Sequence, residues 1–234
     1  MANIYEKYFN KEKKRIAVLL DPDKHTAESA SIIAEKIEKS PADIILVGGS
    51  MVNNSVPDIV DAVKKQTSKP VVLFPGGGAQ VCAQADALLL LSLISGRNPE
   101  YLIGEHVRSA MHIHNIGIET ISTGYILIDG GIPTSVQYVS NTMPIPSGKT
   151  DLVVSTAIAG EMIGMRNIYL EAGSGAIRPV EHDTIHAVSE VSSLPIMVGG
   201  GLKSMSAIEK AFIAGADIAV VGTAIEKNPD FFKR

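Results

Sequence analysis

The chain has 234 residues, of which 45% are hydrophobic and 20% charged, the composition of a soluble globular protein rather than a disordered or fibrous one. Its net charge is −4, and no basic stripe with interleaved aromatic residues occurs, which argues against nucleic acid as a partner. The single cysteine, Cys82, excludes an internal disulfide and a cysteine-based zinc site, and it favours a cytoplasmic location.

Neither the start of the chain nor its longest apolar run predicts a membrane segment. The opening residues, MANIYEKYFNKEKKR, are too charged for a signal peptide. The run ALLLLSLI at residues 87–94 is much shorter than the roughly 18 residues needed to cross a bilayer. Any membrane contact is therefore expected to be peripheral.

Eight short apolar runs predict eight β-strands. They are rich in leucine or β-branched residues and are continuous rather than alternating, which is typical of parallel strands covered on both faces. The runs occupy residues 15–20, 43–48, 70–74, 87–92, 124–128, 167–171, 195–200 and 217–222.

Helical patterns lie between most of these runs. Residues 30–37 repeat apolar side chains at i, i+3, i+4 and i+7, helix starts are predicted at Ser55 and Asn98, and helix ends at Gly117 and Gly215. Eight strands with interposed helices in a chain of this length predict an α/β fold, a (β/α)8 TIM barrel, forming one domain over residues 1–234.

Two segments depart from the repeating pattern. Only PGGGAQVCAQAD, residues 75–86, separates the third run from the fourth, which is too short for a crossover helix. We therefore predict that the third helix is replaced by an extended or irregular segment, leaving an apolar furrow on the flank of the barrel. The second segment, residues 129–151, predicts a long loop over the top of the barrel.

Three glycine-containing turns follow the last three strands. They are AGSG at residues 172–175, VGGGLKS at 198–204 and VGT at 221–223. Backbone N–H groups can approach an anion closely where no Cβ intervenes, and TIM barrels often bind phosphate at these positions. A single turn of this kind would be explained as a tight strand-to-helix connection, but three together predict a phosphate site.

Glu171 ends the sixth predicted strand, so its carboxylate should point into the mouth of the barrel. There it could accept a hydrogen bond or a proton from a substrate hydroxyl, and Tyr169, two residues earlier on the same face, could orient that hydroxyl. The alternative is a salt bridge between Glu171 and a basic residue such as Arg178.

Carboxylate and hydroxyl oxygens also follow the first two strands. LLDPDK places Asp21 and Asp23 after the first strand, and GGS places Ser50 after the second. Such oxygen ligands suit Mg²⁺, which often takes only one or two protein carboxylates beside substrate phosphates. The alternative is that the aspartate caps a turn.

Several other motifs are incomplete. PSGKT at residues 146–150 resembles the end of a phosphate-binding Walker loop, but Met143 stands at the position of its first glycine and no strand precedes it. HDTIH at 182–186 has the histidine spacing of a zinc helix but no evident third ligand, so a solvated helix face is favoured. His106, His112 and His114 are assigned to packing or interface roles.

The combined motifs resemble the geranylgeranylglyceryl phosphate synthase family, which includes bacterial heptaprenylglyceryl phosphate synthases. The resemblance rests on YLEAGSG at residues 169–175, together with LLDPDK, SLISGRNPEYLIGEH, IPSGKTD, VGGGLKS and VGT, and it spans nearly the whole chain. The missing third helix is also a property of that family.

The resemblance implies a prenyltransferase that joins a polyprenyl diphosphate to the C3 hydroxyl of sn-glycerol 1-phosphate, forming an ether with Mg²⁺ as cofactor. It implies Asp21 and Ser50 as metal ligands, Tyr169 and Glu171 at the glycerol hydroxyls, and a geranylgeranyl (C20) donor. The implied acceptor-binding residues are Tyr169, Leu170, Glu171, Ala172, Gly173, Ser174, Gly175, Gly200, Gly201, Gly222 and Thr223.

The residues themselves leave other functions open. The same phosphate turns would serve a sugar-phosphate isomerase, an FMN-dependent barrel enzyme, or a barrel that only binds a phosphorylated ligand. The apolar pattern at residues 101–111 also predicts a homo-oligomer.

Overall fold

Eight parallel strands form a closed barrel in which every strand pairs with its neighbours in the chain and β1 pairs with β8. The structure is a computed structural model that describes residues 3–228 and 230–232. The strands are β1 Arg15–Leu20, β2 Ile44–Val47, β3 Val71–Leu73, β4 Ala87–Leu93, β5 Glu119–Leu127, β6 Asn167–Glu171, β7 Ile196–Gly199 and β8 Ile218–Val221.

Helices surround this barrel and connect its strands. They are α1 Ile4–Tyr8, α2 Ala27–Glu38, α3 Val56–Lys64, α4 Glu105–Ile116, α5 Ser135–Ser140, α6 Thr150–Met162, α7 His182–Val191, α8 Met205–Ile213 and α9 Thr223–Lys227. Short 3-10 turns occupy Pro22–Lys24 and Gly78–Gln80, and a π-helical turn, Glu100–Gly104, leads into α4.

The predicted TIM barrel is confirmed, including its missing helix. All eight apolar runs are strands, and the connection from β3 to β4 contains only the 3-10 turn Gly78–Gln80. The largest difference among the strands is that β5 begins at Glu119, five residues before the predicted run. Its first half carries polar side chains such as Thr120 and Ser122, and so lacks the continuous apolar pattern.

The prediction of a plain loop over residues 129–151 is wrong in part. This segment contains α5, whose start is capped by the Thr134 side chain accepting from the Gln137 N–H, and it ends in the first residues of α6. A helix of six residues is too short to show a helical apolar period, which explains why the pattern was missed.

The barrel has two apolar cores, one inside the sheet and one between the sheet and the helices. Alternate residues of each strand face the two cores, which is why the strands are continuously apolar. At the amino-terminal end of the strands, α1 and the residue that follows it add Ile4 and Phe9 to the inner core. The Glu119 carboxylate holds α1 there by accepting from the N–H groups of Ile4 and Tyr5 at 2.7 and 2.8 Å.

Aspartates placed directly before three strands fix the same end of the barrel. Asp43, Asp86 and Asp217 precede β2, β4 and β8, and each accepts a hydrogen bond from the first or second N–H of the preceding strand in the barrel. Asp217 is the most buried, at 1% exposure. Its carboxylate accepts from the Ile196 N–H at 3.0 Å and from the Lys14 ammonium at 2.9 Å.

Among the described residues, no helix is both long and apolar enough to cross a membrane.

Replacement of Asp217 by alanine should lower the free energy of unfolding by about 2–4 kcal/mol, because it leaves a buried N–H and an ammonium without their acceptor. Chemical denaturation monitored by circular dichroism measures this loss. Glu190→Ala, which removes an exposed carboxylate from α7, serves as the control and should change stability by less than about 0.5 kcal/mol. Equal stability of the two variants would contradict the structural role of Asp217.

Candidate active site

The predicted site residues lie at the carboxyl ends of the strands, around the mouth of the barrel. Tyr169 and Glu171 are two residues apart on β6, and both side chains face the barrel interior. Tyr169 is 1% exposed and Glu171 only 7%, so the carboxylate is held largely away from water. Burying a carboxylate costs free energy unless other groups hydrogen-bond to it.

Two donors hold the Glu171 carboxylate. The Tyr169 hydroxyl donates to Oε2 across a short hydrogen bond, and the Gly173 N–H donates to Oε1 at 2.6 Å. The alternative of a salt bridge to Arg178 is not realised, since the Arg178 guanidinium lies 3.8 Å from the Asp129 carboxylate instead. Among residues 3–228 and 230–232, Glu171 is therefore fixed in position without a cationic partner.

Burial raises the pKa of Glu171 to about 7, although the hydrogen bonds from Tyr169 and Gly173 act to lower it. The burial of Tyr169 and Tyr125 likewise raises the pKa of each phenol well above its usual value. Both phenols are therefore neutral donors near pH 7. A carboxyl group with this pKa exchanges its proton in the physiological range, which is favourable for a general base.

Glycines on β7 make room for these two side chains. A Cβ at Gly199 would lie 2.1 Å from the Tyr169 hydroxyl oxygen and 2.6 Å from Glu171 Oε2. Gly200 has a φ of +79°, and a Cβ there would lie 2.6 Å from Glu171 Oε1. Gly199 was not among the predicted site residues, although it is the first of three consecutive glycines, and a side chain at this position would displace the carboxylate.

The three glycine turns converge as expected. A Cβ at Gly200 would lie 2.7 Å from the Gly173 nitrogen, and the Ser174 and Thr223 hydroxyl oxygens are 3.3 Å apart. These contacts bring together the turns after β6, β7 and β8, with Gly222 directly before Thr223 at the start of α9.

This convergence leaves a set of backbone donors free. The N–H groups of Ser174, Gly175, Gly200 and Gly201 hydrogen-bond to no other described residue. All four positions are exposed or half-buried. Unpaired N–H groups in exposed turns form an anion-binding concavity, so this surface has the donor set that a phosphate requires.

The side chains of Leu170 and Ala172 point away from the mouth of the barrel. Both side chains belong to the outer core, between the sheet and the helices. The Ala172 N–H donates to the Gly199 carbonyl at 3.1 Å. These two residues therefore hold β6 and the β7 turn in register and do not point a side chain into the mouth.

An apolar groove extends from the mouth along the flank where the third helix is missing. It encloses about 770 Å³, its open side included. The floor is formed by Leu88–Leu91 of β4, one wall by residues 75–78 and Val81, and the other wall by α4 with the π-helical turn before it. Ser50, Phe74 and Tyr125 lie at its upper end.

Three of the polar side chains in the groove form hydrogen bonds within the protein. Glu105 accepts from the Gly78 N–H at 3.0 Å, His106 Nε2 lies 2.8 Å from the Ser92 hydroxyl, and the Ser109 hydroxyl donates to the Glu105 carbonyl at 2.6 Å. Burial lowers the pKa of His106, against the opposing effect of Glu105. The space that remains suits an uncharged hydrocarbon chain.

Three aromatic rings join the groove to Glu171. The Tyr169 ring packs edge-to-face against Phe74 and against Tyr125, with ring centroids 5.5 and 5.2 Å apart. Phe74 and Tyr125 line the groove, whereas the Tyr169 hydroxyl contacts the carboxylate. Phe74 and Tyr125 were missed by the sequence analysis, because each is a single aromatic residue in or beside a strand.

Asp21 and Ser50 lie on neighbouring turns above β1 and β2. Asp21 Oδ1 accepts from the Asp23 N–H at 3.1 Å, and a Cβ at Gly49 would lie 3.5 Å from this oxygen. Asp21 thus caps the turn after β1, as the alternative proposed, and also presents a half-exposed carboxylate beside Gly49, the residue before Ser50. One carboxylate with neighbouring hydroxyl and carbonyl oxygens fits Mg²⁺ that is also bound by a substrate phosphate.

The other polar residues considered from the sequence have different positions. The Asp23 carboxylate accepts from the N–H groups of Asn53 and Asn54 and is committed to holding that loop. Lys149 lines a separate small cavity with Arg178 and Asp129. His182 and His186 are exposed on α7, and no group of three or more metal-binding side chains occurs within residues 3–228 and 230–232.

Comparison with known proteins agrees with this geometry. The chain is 49% identical to a geranylgeranylglyceryl phosphate synthase of Chitinophaga pinensis, covering 98% of this chain and 93% of the relative. It is 42% identical to the enzyme of the same name from Methanosphaera stadtmanae, covering 98% and 95%.

A crystal structure from Thermoplasma acidophilum superimposes with a TM-score of 0.92 at 30% identity, covering 99% of this chain and 93% of the other. That protein is (S)-3-O-geranylgeranylglyceryl phosphate synthase in complex with its substrate sn-glycerol 1-phosphate. Residues 9–234 match the PcrB family. With this match over nearly its whole length, the chain belongs to the PcrB family, and the resemblance to geranylgeranylglyceryl phosphate synthases is confirmed.

Proposed function

We propose that the protein transfers a prenyl group, of geranylgeranyl length, from its diphosphate to the C3 hydroxyl of sn-glycerol 1-phosphate. The products are an ether-linked prenylglyceryl phosphate and diphosphate. The observation that carries this proposal is the position of Glu171, between the free N–H groups of the glycine turns and the aromatic end of the apolar groove.

The acceptor fits the turns after β6, β7 and β8. Its phosphate would accept hydrogen bonds from the N–H groups of Ser174, Gly175, Gly200 and Gly201, and from the Ser174 and Thr223 hydroxyls. The glycerol hydroxyls would then reach Glu171 and Tyr169, which lie deeper in the mouth. The relatives named above support this acceptor, since one of them was crystallised with it.

The donor fits the groove. Its hydrocarbon chain would lie on Leu88–Leu91, with C1 at the aromatic end near Phe74 and Tyr125. The reaction breaks the bond between C1 and the diphosphate oxygen, whose electron pair leaves with diphosphate. The C3 hydroxyl oxygen forms the new bond to C1, and the Glu171 carboxylate accepts the hydroxyl proton.

We assign Mg²⁺ to Asp21 and Ser50. When bound there, the ion would neutralise charge that develops on the departing diphosphate. Asp21 supplies the only carboxylate of this pair, so oxygens of the donor and water would complete the coordination shell. The turn that carries Ser50 also lies at the upper end of the groove, where the diphosphate would be.

Other functions of a phosphate-binding barrel are less well supported. Neither a sugar-phosphate isomerase nor an FMN-dependent enzyme requires a long apolar groove. Family membership and 49% identity to a synthase favour the transferase over both. A cytoplasmic location, a homo-oligomer and peripheral membrane contact stay predictions.

The decisive test is transfer of label from sn-glycerol 1-phosphate into organic solvent, with Mg²⁺ and a series of prenyl diphosphates from C10 to C35. We expect metal-dependent transfer with the highest rate near C20, and none when EDTA is present. Folded protein that transfers no label from any donor would refute the proposed function. A clear optimum at another length would refute only the assignment of geranylgeranyl.

Replacement of Glu171 by glutamine should lower kcat about 10²–10⁴-fold, because the amide keeps the shape of the side chain but cannot accept the proton.

The Glu171→Gln variant should also be more stable than the wild type at pH 8. The folded state raises the pKa of Glu171 to about 7, so the unmodified protein loses stability as the pH rises from about 4.5 to about 7.

Thermal unfolding of Glu171→Gln and wild type at pH 4 and pH 8 measures this effect. The gain should be absent at pH 4, where the carboxyl is protonated in both states, and should reach at most about 3 kcal/mol at pH 8. A gain of the same size at both pH values would show that burial of charge is not its cause.

Replacement of Tyr169 by phenylalanine should shift the acidic limb of the pH profile of kcat/KM to higher pH. The Tyr169 hydroxyl lowers the pKa of Glu171 by hydrogen bonding to its charged form, and its loss raises that pKa above about 7. Tyr125→Phe removes a phenol hydroxyl from the neighbouring ring, which donates no hydrogen bond to Glu171, and is the matched control. The role of Tyr169 would be contradicted if both variants titrated alike.

A further inference from the structure

A lysine on the turn after β1 connects the predicted metal site to the acceptor side of the mouth. The Lys24 ammonium lies 3.4 Å from Asp21 Oδ2 and 2.8 Å from Glu226 Oε2. Asp21 is the carboxylate assigned to Mg²⁺. Glu226 lies on α9, the short helix that begins at Thr223 beside the glycine turns.

The two carboxylates that contact Lys24 are buried to different degrees. The Glu226 side chain is only 10% exposed, and that of Asp21 is 30% exposed, whereas Lys24 itself is 46% exposed. The shorter contact is to the more buried carboxylate. The ammonium is thus anchored on Glu226 and extends from there to Asp21.

The Lys24 ammonium in this position disfavours the binding of a second cation to the Asp21 carboxylate. The ammonium neutralises much of the negative charge that would attract a metal ion, and it repels a divalent ion bound to the same carboxylate. Asp21 Oδ1 lies on the side of Gly49, while Oδ2 is turned towards Lys24. The two cations would therefore approach one carboxylate from opposite sides.

We propose that Lys24 competes with the divalent cation for Asp21 in the free protein, and that Glu226 keeps the displaced ammonium beside the site to meet the diphosphate of the donor. Lys24 is a positioning residue in this scheme. The free protein binds the metal weakly, and the metal becomes tightly bound only when a diphosphate supplies further negative charge. The inference rests on the proposed function only in naming the metal and the donor.

The test is a titration of the substrate-free protein with Mn²⁺, in which electron paramagnetic resonance measures the unbound ion. Lys24→Met should bind Mn²⁺ roughly tenfold more tightly than the wild type, the scale expected for removing one partly exposed charge a few ångströms away. Glu226→Gln should bind it more weakly, because the ammonium then rests on Asp21 alone. The double variant should behave as Lys24→Met.

Further variants separate this competition from a structural role of the bridge. If Lys24 merely holds the turn in place, both Lys24→Met and Glu226→Gln should weaken Mn²⁺ binding. Lys24→Arg retains the charge and should bind as the wild type, and adding Asp21→Asn to Lys24→Met should abolish the gain. Lys64→Met breaks the Lys64–Asp86 ion pair at the opposite end of the barrel, matches the change in net charge, and should have no effect.

Tighter binding by Lys24→Met with weaker binding by Glu226→Gln supports the proposal. Equal or weaker binding by a folded Lys24→Met protein overturns it, and so does the absence of Mn²⁺ binding in every variant. If Lys24→Met does not fold by circular dichroism, Lys24→Gln takes its place with the same expectation. No prenyl donor or acceptor is present, so the titration is independent of whether the protein is a transferase.

Discussion

The buried carboxylate of Glu171 imposes the main constraint on the rest of the mouth. A carboxylate is a stronger base near neutral pH when dry surroundings raise its pKa, and hydrogen-bond donors must then fix its orientation. Tyr169 and the Gly173 N–H supply those donors, and the Phe74 and Tyr125 rings pack around the phenol. The absence of side chains at Gly199 and Gly200 follows from the same need, because a Cβ at either position would overlap the carboxylate.

The missing helix gives the barrel its second functional surface. In a complete TIM barrel, a helix between β3 and β4 would cover the outer face of β4, whereas here Leu88 and Leu90, on that face, line an open groove. The short connection is held without a helix by close packing. A Cβ added at Gly78 would lie only 2.8 Å from the Ser109 Cβ. Gly76 contacts the backbone of Gly49 and Ser50. The glycines of residues 76–78 thus define the wall of the groove and attach it to the turn that carries Ser50.

Much of the fold could be predicted from the sequence, because parallel strands buried on both faces give continuous apolar runs and the connections give glycine and capping signals. The turns after β6, β7 and β8 were recognised for the same reason. Features that depend on tertiary contact could not be found in this way. The role of Gly199 depends on two side chains of a neighbouring strand, and the bridge from Lys24 to Glu226 joins residues 202 positions apart. Residues 135–140 form a helix too short to give a periodic pattern.

The arrangement separates the part of the site that must be precise from the part that need only be apolar. The proposed acceptor side is built from backbone groups in tight turns, so it suits a small molecule whose phosphate and hydroxyls all require fixed partners. The donor side is built from leucine, valine and aromatic side chains, whose contacts with a hydrocarbon are nondirectional. Substitutions along the groove can therefore change the length of chain that fits without moving Glu171, whereas a side chain added at Gly199 or Gly200 would disturb the base itself. With the proposed assignment of the two sides, recognition of the acceptor is tied to the chemistry in this fold, and recognition of the prenyl chain is not.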